Sequence, residues 1–239
     1  MNKALTISGS DSLGVAGIQK DLEIFLKNNI QPFTVITNIM AQNTNGMLKV
    51  ESTSKNMIKN QMKVTFEEYD FNAIKIGTIV GTDEIKLIGK MLRKIKRVPN
   101  IVVNPQLINI DGEKFLSDNE KKGMIKEIFP LAYLLILNKE NTEEILDIKI
   151  NHIENIEETL EDLKKLGPVN ILIRNLDKEG ERVDILYDGD ELTYFISEEL
   201  DLKDTYIQGE RLSAAITSFV ANGYSLKTAI KLGKDFIEK

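Results

Sequence analysis

The run Ala4-Leu5-Thr6-Ile7-Ser8-Gly9-Ser10-Asp11-Ser12-Leu13-Gly14-Val15-Ala16-Gly17-Ile18-Gln19-Lys20-Asp21-Leu22 decides the fold. Ala4 to Ile7 has strand composition and enters a loop with glycines at 9, 14 and 17. Beyond it Ile18, Leu22, Phe25 and Leu26 recur at helical spacing. Strand, glycine loop and helix form one βα unit of a parallel sheet. Working outward, the alternation persists. Strands are expected at Phe33–Ile39, Ala73–Gly77, Asn100–Val103, Tyr133–Leu137 and Val169–Ile173. Helices are expected at Lys55–Glu68, Thr82–Lys96, Asp118–Ile128 and Asn155–Leu166, with closing helices at about Gly209–Gly223 and Ser225–Glu238. Val183–Tyr187 and Leu192–Ile196 flank Asp188-Gly189-Asp190 and read as an antiparallel hairpin at one edge. The fold class is therefore α/β, a three-layer α/β/α arrangement with a mainly parallel central sheet. No linker, repeat or low-complexity segment divides residues 1–239, so one domain is expected. Ligands of such sheets sit beyond the carboxyl ends of the strands. The loops after Ile7, Ile39, Ile76, Val103, Leu137 and Ile173 should share that edge.

Composition narrows the chemistry. The chain lacks cysteine and has one histidine, His152, which excludes disulfides, thiolate metal sites and a cysteine nucleophile, and disfavours Ser-His-Asp catalysis. A net charge of −6 argues against a nucleic-acid partner. The basic run Lys90–Arg97 closes a helix, where cations suit the dipole. No apolar run approaches the length of a membrane span, and the N-terminal stretch is polar again by Ser8; no membrane partner and a cytoplasmic location are expected. The first loop matches neither the dinucleotide fingerprint nor the P-loop.

Several strings carry a more specific signal. Gly9-Ser10-Asp11 with Ala16-Gly17-Ile18-Gln19-x-Asp21-Leu22, then Ala41-Gln42-Asn43-Thr44-x-Gly46, Ala73-x-Lys75-Ile76-Gly77, Val183-Asp184-x-Leu186-Tyr187-Asp188-Gly189 and Leu212-Ser213-Ala214-Ala215-Ile216 occur in that order. Together they resemble the hydroxymethylpyrimidine/phosphomethylpyrimidine kinases of thiamine biosynthesis, ribokinase-like proteins related to the pyridoxal kinases. The resemblance implies a ribokinase-like fold and ATP- and Mg²⁺-dependent transfer of a γ-phosphoryl group to a pyrimidine hydroxymethyl or phosphomethyl group. It implies a substrate pyrimidine beside Gly9, Asp21, Gln42 and Gln106, and phosphate or nucleotide contacts from Asn138 and Arg174. It also implies a possible homodimer. An aminopyrimidine suits a carboxylate and an amide, which together accept from its amine and pair with its ring nitrogens.

The chain departs from the family at the transfer machinery. Thr205-Tyr206-Ile207-Gln208-Gly209-Glu210 replaces the glycine-rich anion hole, leaving Gly209 and Glu210 as the catalytic candidates. The family has cysteine at this position and much of the superfamily aspartate; Glu210 is one methylene longer than that aspartate. Asn104-Pro105-Gln106-Leu107 stands for Asp-Pro-Val-Met, and Asn141 for a metal-shell glutamate, so no metal ligand is assigned. Leu13 and Val15 narrow the first loop. Three functions stay open: an active kinase of a pyrimidine or pyridoxal-like alcohol or of the pyrimidine's phosphate, a catalytically impaired homologue that binds such a ligand for salvage, sensing or scaffolding, and a structural or dimerisation protein that uses the fold only as a scaffold.

Overall fold

In a computed structural model the chain is described over residues 1–238 except 45, 98, 110–111, 151–152, 154–155 and 198–201, with backbone alone at 197 and 202–205. His152 lies outside the described residues. The elements in order are β1 (Asn2–Asp11), α1 (Gly17–Lys27), β2 (Ile30–Asn43), β3 (Gly46–Ser52), α2 (Lys55–Glu68), β4 (Ala73–Ile76), α3 (Thr82–Leu92), β5 (Asn100–Val103), α4 (Asp118–Glu127), β6 (Leu134–Asn138), α5 (Lys139–Leu146), α6 (Ile156–Lys165), β7 (Asn170–Lys178), β8 (Glu181–Tyr187), β9 (Leu192–Ser197), α7 (Leu202–Ala221) and α8 (Leu226–Ile237).

One nine-stranded sheet runs β3-β2-β1-β4-β5-β6-β7-β8-β9. The six strands from β2 to β7 are parallel, and antiparallel strands close both edges. The hairpin at β8–β9 matches the sequence reading. The second edge was not anticipated: β2 runs on to Asn43 and turns back through β3. Among the described residues, no helix is long and apolar enough to cross a membrane.

Strand parity sets the two cores. Leu5, Ile7, Ile74, Ile76, Ile101, Val103, Leu135 and Leu137 face one side, where they pack with residues of α2 to α6. Ala4, Ala73, Val102, Leu134, Ile136 and Leu172 face the other, under α1, α7 and α8. By the same alternation Thr6, Lys75, Arg174 and Asp184 point towards the α1/α7 side, and all four are buried. Polar residues in a dry layer must find partners there. They do, and the result is the heart of the site.

Three helices differ from expectation; α3 ends at Leu92 rather than Lys96, so Arg93 to Arg97 lie beyond it. α7 begins at Leu202 rather than near Gly209, so Tyr206 to Glu210 lie inside a helix. Without the usual glycines, the segment has side chains able to hold helical dihedrals. α5 occupies residues expected to be loop after Asn138. The Asn138 side chain caps it, accepting from the Asn141 N–H at 2.8 Å.

Candidate active site

The chain order reverses direction at β1: β2 lies on one side and β4 on the other. That switch point opens a crevice at the carboxyl ends. A cavity of about 270 Å³ lies there, lined by Leu13, Val15, Met40, Gln42, Thr78, Gln106, Phe115, Tyr206 and Ile207 among others. Its walls come from the loops after β1, β4 and β5, the end of β2, and the first turns of α7.

Behind the cavity sits a buried ionic cluster. Lys75 Nζ on β4 donates to Asp21 Oδ1 at 2.6 Å and to Glu210 Oε2 at 2.9 Å. Asn104 Nδ2, just after β5, donates to Glu210 Oε1 at 2.9 Å. Thr6 Oγ1 donates to the second Asp21 oxygen at 2.6 Å. Lys75 and Asp21 are wholly inaccessible, and Glu210 is 2% exposed. Burial pushes the Asp21 carboxyl up, Lys75 pulls it partly back, and the Glu210 charge raises it again, to about 6. Burial on its own lowers the Lys75 ammonium, but the Asp21 and Glu210 carboxylates outweigh it and hold it at about 12. Two carboxylates share one cation, so the ionised cluster carries net negative charge.

The first loop serves its own carboxylate. Asp11 Oδ1 accepts from the Leu13 N–H at 2.9 Å, and Oδ2 from the N–H groups of Val15 at 3.1 Å and Ala16 at 3.2 Å. The backbone donors that a glycine loop offers to a ligand are here taken up internally. Gly9 is needed for packing: a Cβ there would meet Asn38 Nδ2 at 2.4 Å.

The remaining candidates distribute as follows. Gln42 and Gln106 line the cavity. Asp21 and Glu210 form the cluster behind it. Gly209 faces Arg174, and a Cβ there would meet Arg174 Nη1 at 2.9 Å. Arg174 is 4% exposed, with Nε 3.9 Å from Asp184 Oδ2, and Asp184 also accepts from Lys234 at 2.6 Å. Asn138 is occupied as the α5 cap. Asn141 accepts from the Leu107 and Ile108 N–H groups and donates to the Pro105 carbonyl. Among the described residues no group of three or more acidic or imidazole side chains gathers to hold a metal. Lys75 and Tyr206 were not singled out as site residues by the sequence reading. A lysine between Ile74 and Ile76 in a four-residue strand was the available signal for Lys75, because a charge at that parity needs buried carboxylates. Tyr206 carries no such signal without knowledge of where α7 begins.

The phosphomethylpyrimidine kinase family matches residues 11–239 of the chain. A hydroxymethylpyrimidine/phosphomethylpyrimidine kinase of Rhizobium meliloti is 31% identical over 236 residues, covering 98% of this chain and 88% of the relative. Some curated relatives are longer, and the chain spans about half of them, 48% of one and 46% of another. Among solved structures, phosphomethylpyrimidine kinase from Clostridium difficile 630 superposes with a TM-score of 0.89 at 37% identity, covering 100% of this chain and 98% of that one. An ADP complex of Bacillus subtilis pyridoxal kinase gives 0.88 at 29% identity, covering 100% and 91%. The ordered motifs, the sheet with its switch-point cavity and these likenesses converge on one conclusion: the chain belongs to the phosphomethylpyrimidine kinase family.

Proposed function

We propose that the chain is a small-molecule kinase that transfers the γ-phosphoryl group of ATP to the hydroxymethyl or phosphomethyl group of an aminopyrimidine. The observation that carries this reading is the switch-point cavity, where the amides of Gln42 and Gln106 face a largely apolar enclosure backed by Glu210. The Gln42 amide can present both donor and acceptor to a heteroaromatic ring, while Gln106 Nε2 already donates to the Ile108 carbonyl and keeps one N–H and its oxygen. For the alcohol, the hydroxymethyl oxygen bonds to the γ-phosphorus, the bond from that phosphorus to the ADP oxygen breaks, and ADP leaves. In this reading Glu210, buried behind the cavity, takes the hydroxyl proton. Its oxygens already accept from Asn104 and Lys75, but each carboxylate oxygen has a second acceptor position. The described residues build no metal cage, and Mg²⁺ at such sites is held mainly by substrate phosphates and water.

A second reading, binding without transfer, draws support from α7. Its helix is continuous across Tyr206–Glu210, so N–H groups that would meet a transferring phosphate are turned into the helix. Measuring ADP release with Mg-ATP and the pyrimidine alcohol, beside Glu210→Gln, separates the two. The kinase reading expects turnover that falls about a hundredfold or more in the variant. Pyrimidine binding with no turnover above that variant overturns it in favour of the second.

A further inference from the structure

We infer that Asn104 is a positioning residue for Glu210: its neutral amide and the Lys75 ammonium together hold that carboxylate ionised and fixed behind the cavity, and an acid in place of Asn104 would disable it as a base. This rests on the reading above, in which Glu210 takes the hydroxyl proton.

Asn104 is itself held from two directions. Its N–H donates to the Ile76 carbonyl at 2.9 Å, which ties the end of β5 to the end of β4. Pro105 follows and restricts the backbone at 104 to extended dihedrals. From that base the buried side chain reaches Glu210, with Nδ2 donating to Oε1 at 2.9 Å. Lys75 Nζ donates to Oε2 at 2.9 Å. Each carboxylate oxygen of Glu210 therefore has its own donor, one from β4 and one from the end of β5. A long side chain with several free torsions is pinned at its tip. Nδ2 is the amide atom that faces Oε1, because the amide oxygen there would set two acceptors against each other. Two departures noted in the sequence, asparagine at 104 and glutamate at 210, thus meet in one hydrogen bond.

The surrounding charges make the neutrality of residue 104 matter. Lys75 on β4 is shared between Glu210 and Asp21 of α1. Tyr206 and Arg211 lie on α7 with Glu210, and Asp11 ends β1. Arg174 on β7 packs against Gly209 and, with Lys234 of α8, attends Asp184. The cation in contact with Glu210 is thus already divided between two carboxylates. A third carboxylate, placed where the amide now stands 2.9 Å away, would share a proton with Glu210. That shared proton leaves Glu210 without the free charge a base needs.

The pH dependence of kcat, measured for the full chain with Mg-ATP and 4-amino-5-hydroxymethyl-2-methylpyrimidine, tests this on wild type, Asn104→Asp and Asn104→Ala. In Asn104→Asp the acid limb is expected to move up by about one pH unit or more, with KM for the pyrimidine changed less than about threefold. Asn104→Ala removes the tether without adding an acid, so its kcat should fall at every pH with the limb in place. Urea unfolding reads the same pairing without turnover. A carboxyl that holds its proton more tightly in the folded state contributes stability that is lost as pH rises. The urea midpoint of Asn104→Asp should therefore fall below that of wild type by more at about pH 7.5 than at about pH 5.5. An unmoved limb in Asn104→Asp overturns the inference and leaves the kinase reading standing. Wild type without turnover overturns the kinase reading; a loss of midpoint in Asn104→Asp equal at both pH values then overturns the placement of Asn104 as well.

Discussion

Replacing Lys75 with methionine removes the cation that Asp21 and Glu210 share. Methionine matches the length of the lysine stem, so packing between β4, α1 and α7 is largely kept and the effect is mainly electrostatic. The ammonium lies 2.6 Å from Asp21 and 2.9 Å from Glu210, all three essentially without solvent. Removing one partner from such a group costs roughly 3–5 kcal/mol, because the remaining charge is buried without compensation. The cost can be relieved by protonation, which gives it a distinctive pH dependence. Asp21 in the intact protein already holds its proton up to about 6, against an ordinary 3.8. A carboxyl raised in the folded state favours folding at low pH, and that contribution is lost as pH rises through the folded value. Without Lys75 the Asp21 value climbs further, so the variant is most impaired near neutrality and recovers on acidification. Urea unfolding of wild type, Lys75→Met and Lys75→Met/Asp21→Asn at about pH 7.5 and about pH 5 reads this directly. The single variant should lose roughly 3 kcal/mol or more at the higher pH and distinctly less at the lower. The double variant should regain part of the loss, since one charge has gone with its partner. A loss under about 1 kcal/mol, or one equal at both pH values, refutes the account of Lys75 as the neutralising centre.

Further outcomes follow from the loop and its glycines. Gly17→Ala places a Cβ at a φ of 59° and 2.3 Å from the Gly9 carbonyl oxygen, whereas Gly14→Ala, at a φ of 74°, meets nothing within 4 Å. Urea unfolding should show the first losing roughly 3 kcal/mol or more and the second only about 1 kcal/mol. Asp11→Ala strips the acceptor from three N–H groups and should cost roughly 2 kcal/mol or more in urea unfolding. Unchanged stability in Asp11→Ala would show that solvent satisfies those groups equally well.

The fold was largely legible because buried strands leave continuous apolar runs and glycine loops punctuate them. Ala73–Ile76 and Val169–Ile173 could hardly be anything else in a β-α series. β3 escaped because it is an edge strand exposed along most of its length; Leu48 is 89% exposed, so no alternation betrays it. α5 escaped because eight residues give too few turns for periodicity. The start of α7 was misplaced because the family's glycine loop set the expectation, while the side chains at 206–208 allow helix. For the site, Gln42 and Gln106 do reach the cavity. Asp21 reads from sequence as a ligand-facing carboxylate after a glycine loop, but its partner is decided by strand parity at Lys75, distant in sequence. The same distance hid the link from Lys75 to Glu210.

That separation also governs how the molecule can be made. The lysine meets its two carboxylates across 54 and 135 positions of chain, and two of the three helices that cover the Ala4, Ala73, Val102, Leu134 and Leu172 side of the sheet, α7 and α8, follow all nine strands. Until residues 202–237 leave the ribosome, that face is covered by α1 alone, and the Lys75–Asp21 pair still lacks Glu210. The nascent chain must therefore be held in a sticky, open form through most of its synthesis, and docking of α7 both seals that face and finishes the ionic cluster in one late event.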